Sequence, residues 1–260
     1  MFSRIAIKVG SNVLTRADGT LDFTRMSALV DQLAELRRAG FEVILISSGA
    51  VASGRSELHL PATETAQMDG VEQRQLFSAV GQAKLMGRYV DLFRDHGIHV
   101  GQVLTMKENF QPGEQYDNQR QCMTAMLAHG VLPIVNENDT VCVTELMFTD
   151  NDELSGLVAK MMQCQALIIL SNIDGIFTGS PDDASSEVVR EVPLGTDLSH
   201  YLQAERSSAG RGGIQSKYNT AQAVAAEGIH VFIANGKRDN VITDLLWHPD
   251  TLRFTHFLPQ

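Results

Sequence analysis

The chain has 260 residues, of which 43% are apolar, with a formal net charge of −10 and a mean hydropathy of −0.07. Such a length can bury the core of one large α/β domain or of two smaller ones. The acidic balance argues against a nucleic-acid surface, which needs clustered Lys and Arg, and no apolar run approaches the roughly 18 residues of a membrane span.

Met1-Phe2-Ser3-Arg4 passes straight into a strand pattern without an apolar leader, so a cytoplasmic location is the expectation. The first strand-like run, 4–9, ends in Lys8-Val9-Gly10-Ser11. Glycine there lets backbone approach a ligand, and lysine is a point charge suited to phosphate. Read alone, Lys8 is most simply an exposed lysine at a strand end. Neither GxxxxGK[ST] nor GxGxxG is present, which disfavours a Walker loop and a dinucleotide-binding dehydrogenase.

Met26, Leu29, Val30, Leu33 and Leu36 then repeat at helical spacing, and Gly40 closes the segment. The second strand, 41–47, runs into Ser47-Ser48-Gly49-Ala50, which is either an ordinary strand-to-helix turn or an anion site of backbone N–H groups. A third strand is expected at 98–104. The fourth, 131–136, empties into Asn136-Glu137-Asn138-Asp139. Capping alone does not call for that polar run, and open α/β sheets bind ligands just beyond the carboxyl ends of their strands. A short hairpin is expected over Val141 to Phe148.

Asp150-Asn151-Asp152 precedes Leu154, Leu157, Val158 and Met161 at helical spacing, so these polar residues can cap a helix or serve a site. The fifth strand, 166–170, leads to Ser171-Asn172-Ile173-Asp174. Gly210-Arg211-Gly212-Gly213-Ile214-Gln215-Ser216-Lys217 then opens a helix carrying Ala221, Val224 and Ala225. This is a flexible hinge or a polyphosphate cradle; a cation near a helix N-terminus opposes the macrodipole, so Lys217 needs an anion beside it. Strands at 229–234 and 252–257 complete the pattern.

Alternating strands and helices predict a mostly parallel sheet covered by helices on both faces. We read one continuous sheet, residues 1–260, with two functional halves meeting near residue 165. Cys122, Cys142 and Cys164 are distant and odd in number, which favours free thiols over a disulfide or zinc site. The eight histidines show no metal-ligand spacing, and no metal site is expected from the chain itself.

These segments together resemble the amino acid kinase superfamily and, within it, the glutamate 5-kinase family. The resemblance is carried by Lys8 to Thr15, Ser47 to Ala50, Ala79-Val80-Gly81-Gln82, Tyr116-Asp117-Asn118-Gln119-Arg120, Ile134 to Asp139, Asp150 to Asp152 and Gly212 to Lys217. It implies a three-layer αβα sandwich of about eight mostly parallel strands. It also implies transfer of the γ-phosphate of ATP, carried with Mg2+, to the side-chain carboxylate of L-glutamate, the first step of proline synthesis.

By matched position, Lys8 and Lys217 would hold phosphates and Asp152 would orient them. Ser48, Gly49, Asp139 and Asn151 would meet glutamate, with Asp139 proposed to hold its α-ammonium. Gly10, Ser11, Ser171, Asn172 and the run Arg211, Gly212, Gly213, Ile214, Gln215, Ser216 and Lys217 would meet the nucleotide. The family pattern usually has Thr-Asp at Ser171-Asn172 and Thr at Arg211. Many members carry a further PUA domain, which this sequence is expected to lack. A homo-oligomer and a glutamyl-phosphate reductase partner are implied by analogy. The competing readings are another acid kinase of the fold, acting on acetylglutamate or aspartate, and a non-catalytic sensor of amino acid or nucleotide.

Overall fold

The computed structural model describes residues 2–141, 150–181, 183, 185–202 and 213–260. In chain order the elements are β1 (Arg4–Val9), α1 (Ser11–Leu14), α2 (Phe23–Arg38), β2 (Glu42–Ser47), α3 (Ala50–Leu58), α4 (Ala62–Thr65), α5 (Gly70–Arg94) and β3 (Val100–Thr105). They continue with α6 (Glu114–Ala128), β4 (Leu132–Glu137), α7 (Asn151–Met161), β5 (Ala166–Ser171), β6 (Glu191–Val192), α8 (Ser199–Leu202), α9 (Ile214–Ala225), β7 (His230–Asn235), α10 (Val241–Trp247) and β8 (Phe254–Phe257).

The strands form one eight-stranded sheet in the order β3-β4-β2-β1-β5-β7-β8-β6. Its described pairings are parallel except β7 with β8. Every strand run expected from the sequence is present. β6, a two-residue strand, was not anticipated, because two residues are too few to show a period. The hairpin expected at 141–148 falls almost wholly outside the described residues.

Alternation along β1 sends Ile5, Ile7 and Val9 to one face and Ala6 to the other. The first face is covered by apolar residues of α2, α5 and α10, including Met26, Leu33, Leu85, Phe93 and Ile242. The second is covered by α6, α7 and α9 through Met123, Leu127, Leu154, Val158, Ala221 and Val224. The result is a helix–sheet–helix sandwich. α5 starts with a capping box, in which Asp69 and Glu72 satisfy each other's backbone N–H groups, and this fixes where the long helix begins.

β1 is the topological switch: its neighbours are β2 on one side and β5 on the other, with Val9 opposite both Ser47 and Leu170. The carboxyl ends of β1, β2, β4 and β5 therefore share one edge, where a crevice is expected in an open α/β sheet.

Candidate active site

Lys8 is the penultimate residue of β1, on the same face as Ala6, so its side chain points into the layer of α7 and α9. It is only 5% exposed, which overturns the simple reading of a solvated strand-end lysine. Gly10 makes room for it: a Cβ at Gly10 would stand 3.3 Å from both the Lys8 ammonium and the Leu170 carbonyl.

The partner of Lys8 is Asp152. Its Oδ1 lies 2.6 Å from Lys8 Nζ, and its Oδ2 lies 3.0 Å from Lys217 Nζ. Asp152 has no solvent exposure and Lys217 is 6% exposed, so one buried carboxylate joins two buried ammonium groups from opposite ends of the chain. Asp152 sits in the first turn of α7 and Lys217 in the first turn of α9. The two helices approach closely at Gly156, where a Cβ would lie 2.9 Å from a Val224 methyl and 3.0 Å from one of Thr220. Lys217 thus has the anion its position demanded, and the chain itself supplies it. Burial pushes the Asp152 carboxyl up, but Lys8 and Lys217 outweigh burial and hold it below the usual carboxylate range.

Asp150 takes the capping role: its carboxylate accepts from the backbone N–H groups of Asp152 and Glu153 at 2.8 and 3.1 Å. Burial, reinforced by the charge of Asp152, raises its pKa. Asn151, the next residue, faces away toward β2 and β4. Its Nδ2 donates to Ser48 Oγ at 2.8 Å and to Asn136 Oδ1 at 3.0 Å, and Asn136 in turn donates to Gln82 Oε1 at 2.9 Å. Ser48 is set by its own N–H on the Val9 carbonyl at 3.1 Å, and Gly49 follows with φ of 103°, a left-handed turn that favours glycine.

Asp139 is buried one loop beyond β4 and is not alone. Arg74 of α5 donates from Nε to Asp139 Oδ1 at 2.5 Å and from Nη2 to Glu137. Burial still raises the Asp139 pKa, with Arg74 opposing the shift. α5 can bring Arg74 and Gln82 to this edge because α3 and α5 touch through glycines. A Cβ at Gly54 would fall 1.8 Å from the Phe77 carbonyl, and one at Gly81 would fall 1.8 Å from that of Ala50. Arg74, Gln82, Asn136 and Glu137 were not among the site residues read from the sequence. Gln82, Asn136 and Glu137 lay inside quoted motifs; Arg74 carried no signal, since one arginine in a polar stretch looks like surface.

The residues expected from the sequence to meet the nucleotide are less tightly joined. Ser171 and Asn172 stand at the end of β5, one strand from Lys8, with Ser171 Oγ 3.4 Å from Asn172 Oδ1. Gly213 is the N-cap of α9, Ile214 is buried, and Gln215 donates to Asn219 of its own helix at 2.9 Å. Ser11 opens α1, and Arg211 and Gly212 lie outside the described residues. Nearby, Arg238 holds Asp174 in a two-pronged contact at 3.0 and 2.9 Å, with Asn235 adding a third bond at 2.9 Å.

The edge therefore carries a cationic pair suited to phosphate beside a polar, acid-rich cluster whose charge suits an amine-bearing ligand. The model of the amino acid kinase family matches residues 3–235. A glutamate 5-kinase of Bacteroides thetaiotaomicron is 67% identical over 259 residues, covering 100% of this chain and 71% of that protein. One of Chlorobaculum tepidum is 45% identical, covering 93% of this chain and 66% of that protein. Among solved structures, carbamate kinase from Giardia lamblia bound to AMP-PNP superposes with a TM-score of 0.69 at 15% identity over 99% of each chain. UMP kinase from Ureaplasma parvum does so at 0.66 and 14% over 98% of each, a likeness of fold.

Proposed function

Since this chain belongs to the amino acid kinase family, in its glutamate 5-kinase branch, we propose that it transfers the γ-phosphate of ATP to the side-chain carboxylate of L-glutamate. The observation that carries the reading is the pair of lysines, Lys8 and Lys217, held on one buried carboxylate beside the Ser48–Asn151–Asn136 network.

The attacking group is a carboxylate with an ordinary pKa near 4.3, so it is ionised at neutral pH and needs no general base. The obstacle is repulsion: two unit charges 4 Å apart cost about 4 kcal/mol at an effective dielectric of 20. Lys8 and Lys217 oppose that repulsion and stabilise charge on the transferring phosphoryl group. Asp152, kept ionised by the lysines, fixes where their ammonium groups sit; it is a positioning residue. Magnesium, when bound with the nucleotide, supplies further neutralisation of the phosphates. Asp152 is already engaged by two ammonium groups, so the chain's own contribution at this point is the lysine pair.

On the amino-acid side, Ser48 and Asn151 orient the substrate and Asp139 holds its α-ammonium. Residues 1–165 form the amino-acid half and 166–260 the nucleotide half, with Lys217 crossing between them onto Asp152. Ser171, Asn172 and the segment from Arg211 to Lys217 meet the nucleotide. The product is a labile acyl phosphate, which calls for a reductase that consumes it promptly. The proposal extends to a homo-oligomer in the cytoplasm, in keeping with the free thiol of buried Cys164 and with the lack of any described helix long and apolar enough to cross a membrane.

The test is an assay with ATP, magnesium and, in turn, L-glutamate, N-acetylglutamate and L-aspartate, trapping acyl phosphate with hydroxylamine. Hydroxamate from glutamate alone is expected. Hydroxamate from another acid would reassign the substrate, and none from any acid would favour a sensor.

A further inference from the structure

L-glutamate carries two groups that phosphorylation of its side chain leaves untouched, an α-ammonium and an α-carboxylate. Asp139 answers the first. Lys8 and Lys217 are fixed on Asp152 and are assigned to the phosphates, so a cation for the second has to come from elsewhere in the site. Arg74 already touches Asp139. We propose that Arg74 recognises the α-carboxylate of the substrate, reaching it by giving up Asp139 to the incoming α-ammonium. This rests on the glutamate reading and deepens it.

Position is the first support. Arg74 lies eight residues before Gln82 on α5, about 12 Å along the axis and on a similar face of the helix. Gln82 is bonded to Asn136, Asn136 to Asn151, and Asn151 to Ser48. The same side of one helix thus borders both the Ser48–Asn151–Asn136 network and the acids Glu137 and Asp139. The glycine contact between α3 and α5 holds that helix in place.

Chemistry is the second. A guanidinium has five donors in a planar fork, which suits a carboxylate in a two-pronged contact. Here the fork is split, with Nε on Asp139 and Nη2 on Glu137. An ammonium placed at Asp139 replaces one positive charge by another, so Arg74 can turn without leaving a buried carboxylate uncompensated. Glu137 keeps its contact and holds the guanidinium nearby as it turns.

Accessibility is the third. The Arg74 side chain is 22% exposed, whereas those of Glu137 and Asp139 are 3% and 7% exposed. The arginine is the member of the cluster that an arriving ligand meets. A substrate without the ammonium leaves Arg74 held by Asp139, and one without the α-carboxylate gives the fork nothing to bind.

The experiment compares L-glutamate with 4-aminobutanoate, which retains an amine and the reacting carboxylate but lacks the α-carboxylate, in the wild type, Arg74→Gln and Arg74→Lys. The wild type is expected to prefer glutamate strongly in kcat/KM. In Arg74→Gln the KM for glutamate should rise about 10- to 100-fold, the scale of a lost charged hydrogen bond, with a smaller change in kcat. Turnover of 4-aminobutanoate should change little, so the preference collapses. Arg74→Lys, which keeps the charge without the fork, should fall between and decides the matter if Arg74→Gln does not fold. Equal losses on both substrates in either variant would overturn the proposal, because a clamp that only positions Glu137 and Asp139 would harm both alike. So would a wild type indifferent to the α-carboxylate. A wild type that phosphorylates neither compound would refute the glutamate reading and this inference with it.

Discussion

On the carboxyl edge of the sheet a single carboxylate, Asp152, serves two ammonium groups, and a single guanidinium, Arg74, serves two carboxylates. The first trio sums to one positive charge and the second to one negative charge. The carboxylates of both are buried, and both are built by bringing a helix residue onto a strand end, yet the opposite ratios suit opposite ligands. A polyphosphate complements the first, and an ammonium complements the second. The bridging residue sets the geometry of each trio, and the paired residues set the sign of its ligand.

The largest expected effect comes from removing a bridge. Asp152→Asn leaves two buried cations facing each other and should destabilise the fold by about 3–5 kcal/mol, the scale for breaking a buried ion pair from one side. Urea unfolding would measure it; an unchanged midpoint would mean the trio is not held by this carboxylate. Because the lysines depress the Asp152 pKa, its contribution is present above the ordinary carboxylate range and is lost only as pH falls through the lowered value. Between pH 6 and 8 the wild-type trio should therefore not titrate through Asp152.

Removing a paired lysine should act on chemistry more than on folding. Lys8→Ala or Lys217→Ala is expected to lower kcat about 10²- to 10³-fold, as for the loss of one transition-state donor. Near-normal turnover in either variant would sever that lysine from the phosphates.

On the acidic side the expected loss is in affinity. Asp139→Asn should raise the KM for L-glutamate about 10-fold or more while leaving glutarate, which lacks the amine, little affected. A proportional effect on both compounds would show that Asp139 does not read the ammonium.

The smallest effect belongs to a third ionisable cluster away from both trios, where His230 Nδ1 lies 2.9 Å from His256 Nε2 and the His256 ring stacks on Phe232 at 4.2 Å. Burial, then the charges of His230 and Arg190, bring the His256 pKa from 6.5 down to about 4. The unfolded chain binds the proton first, so stability should decline by a few degrees of Tm as pH falls from about 6.5 toward 4 and hold steady above. His256→Phe should flatten that slope without changing kcat at neutral pH. A slope that survives the substitution would place the titration elsewhere.

How much of this was legible depends on whether local pattern or distant approach decides a residue's place. The strands 4–9, 131–136 and 166–170 were readable because continuous apolar runs with polar exits suit strands buried on both faces. Lys8 lies on the Ala6 face by simple alternation, but its burial depends on α7 and α9, which lie far along the chain. Asp150 and Asn151 look equivalent in sequence. The start of α7 made one a cap and aimed the other at Ser48. Arg74 was invisible, since its partners are more than sixty residues away and α5 reaches them only by a glycine contact with α3.

The order of strands and helices, the faces each would bury and the polar strand ends that make a ligand edge follow from the amino-acid sequence by itself, because hydrophobic periodicity is local. Which charges share a partner is decided by tertiary structure: for Asp152 a family resemblance suggested it, and no local pattern did. Ion-pair geometry depends on through-space distance, and only the placing of β1 between β2 and β5, with α7 packed on α9, brings the ammonium groups of Lys8 and Lys217 to 2.6 and 3.0 Å from the carboxylate of Asp152.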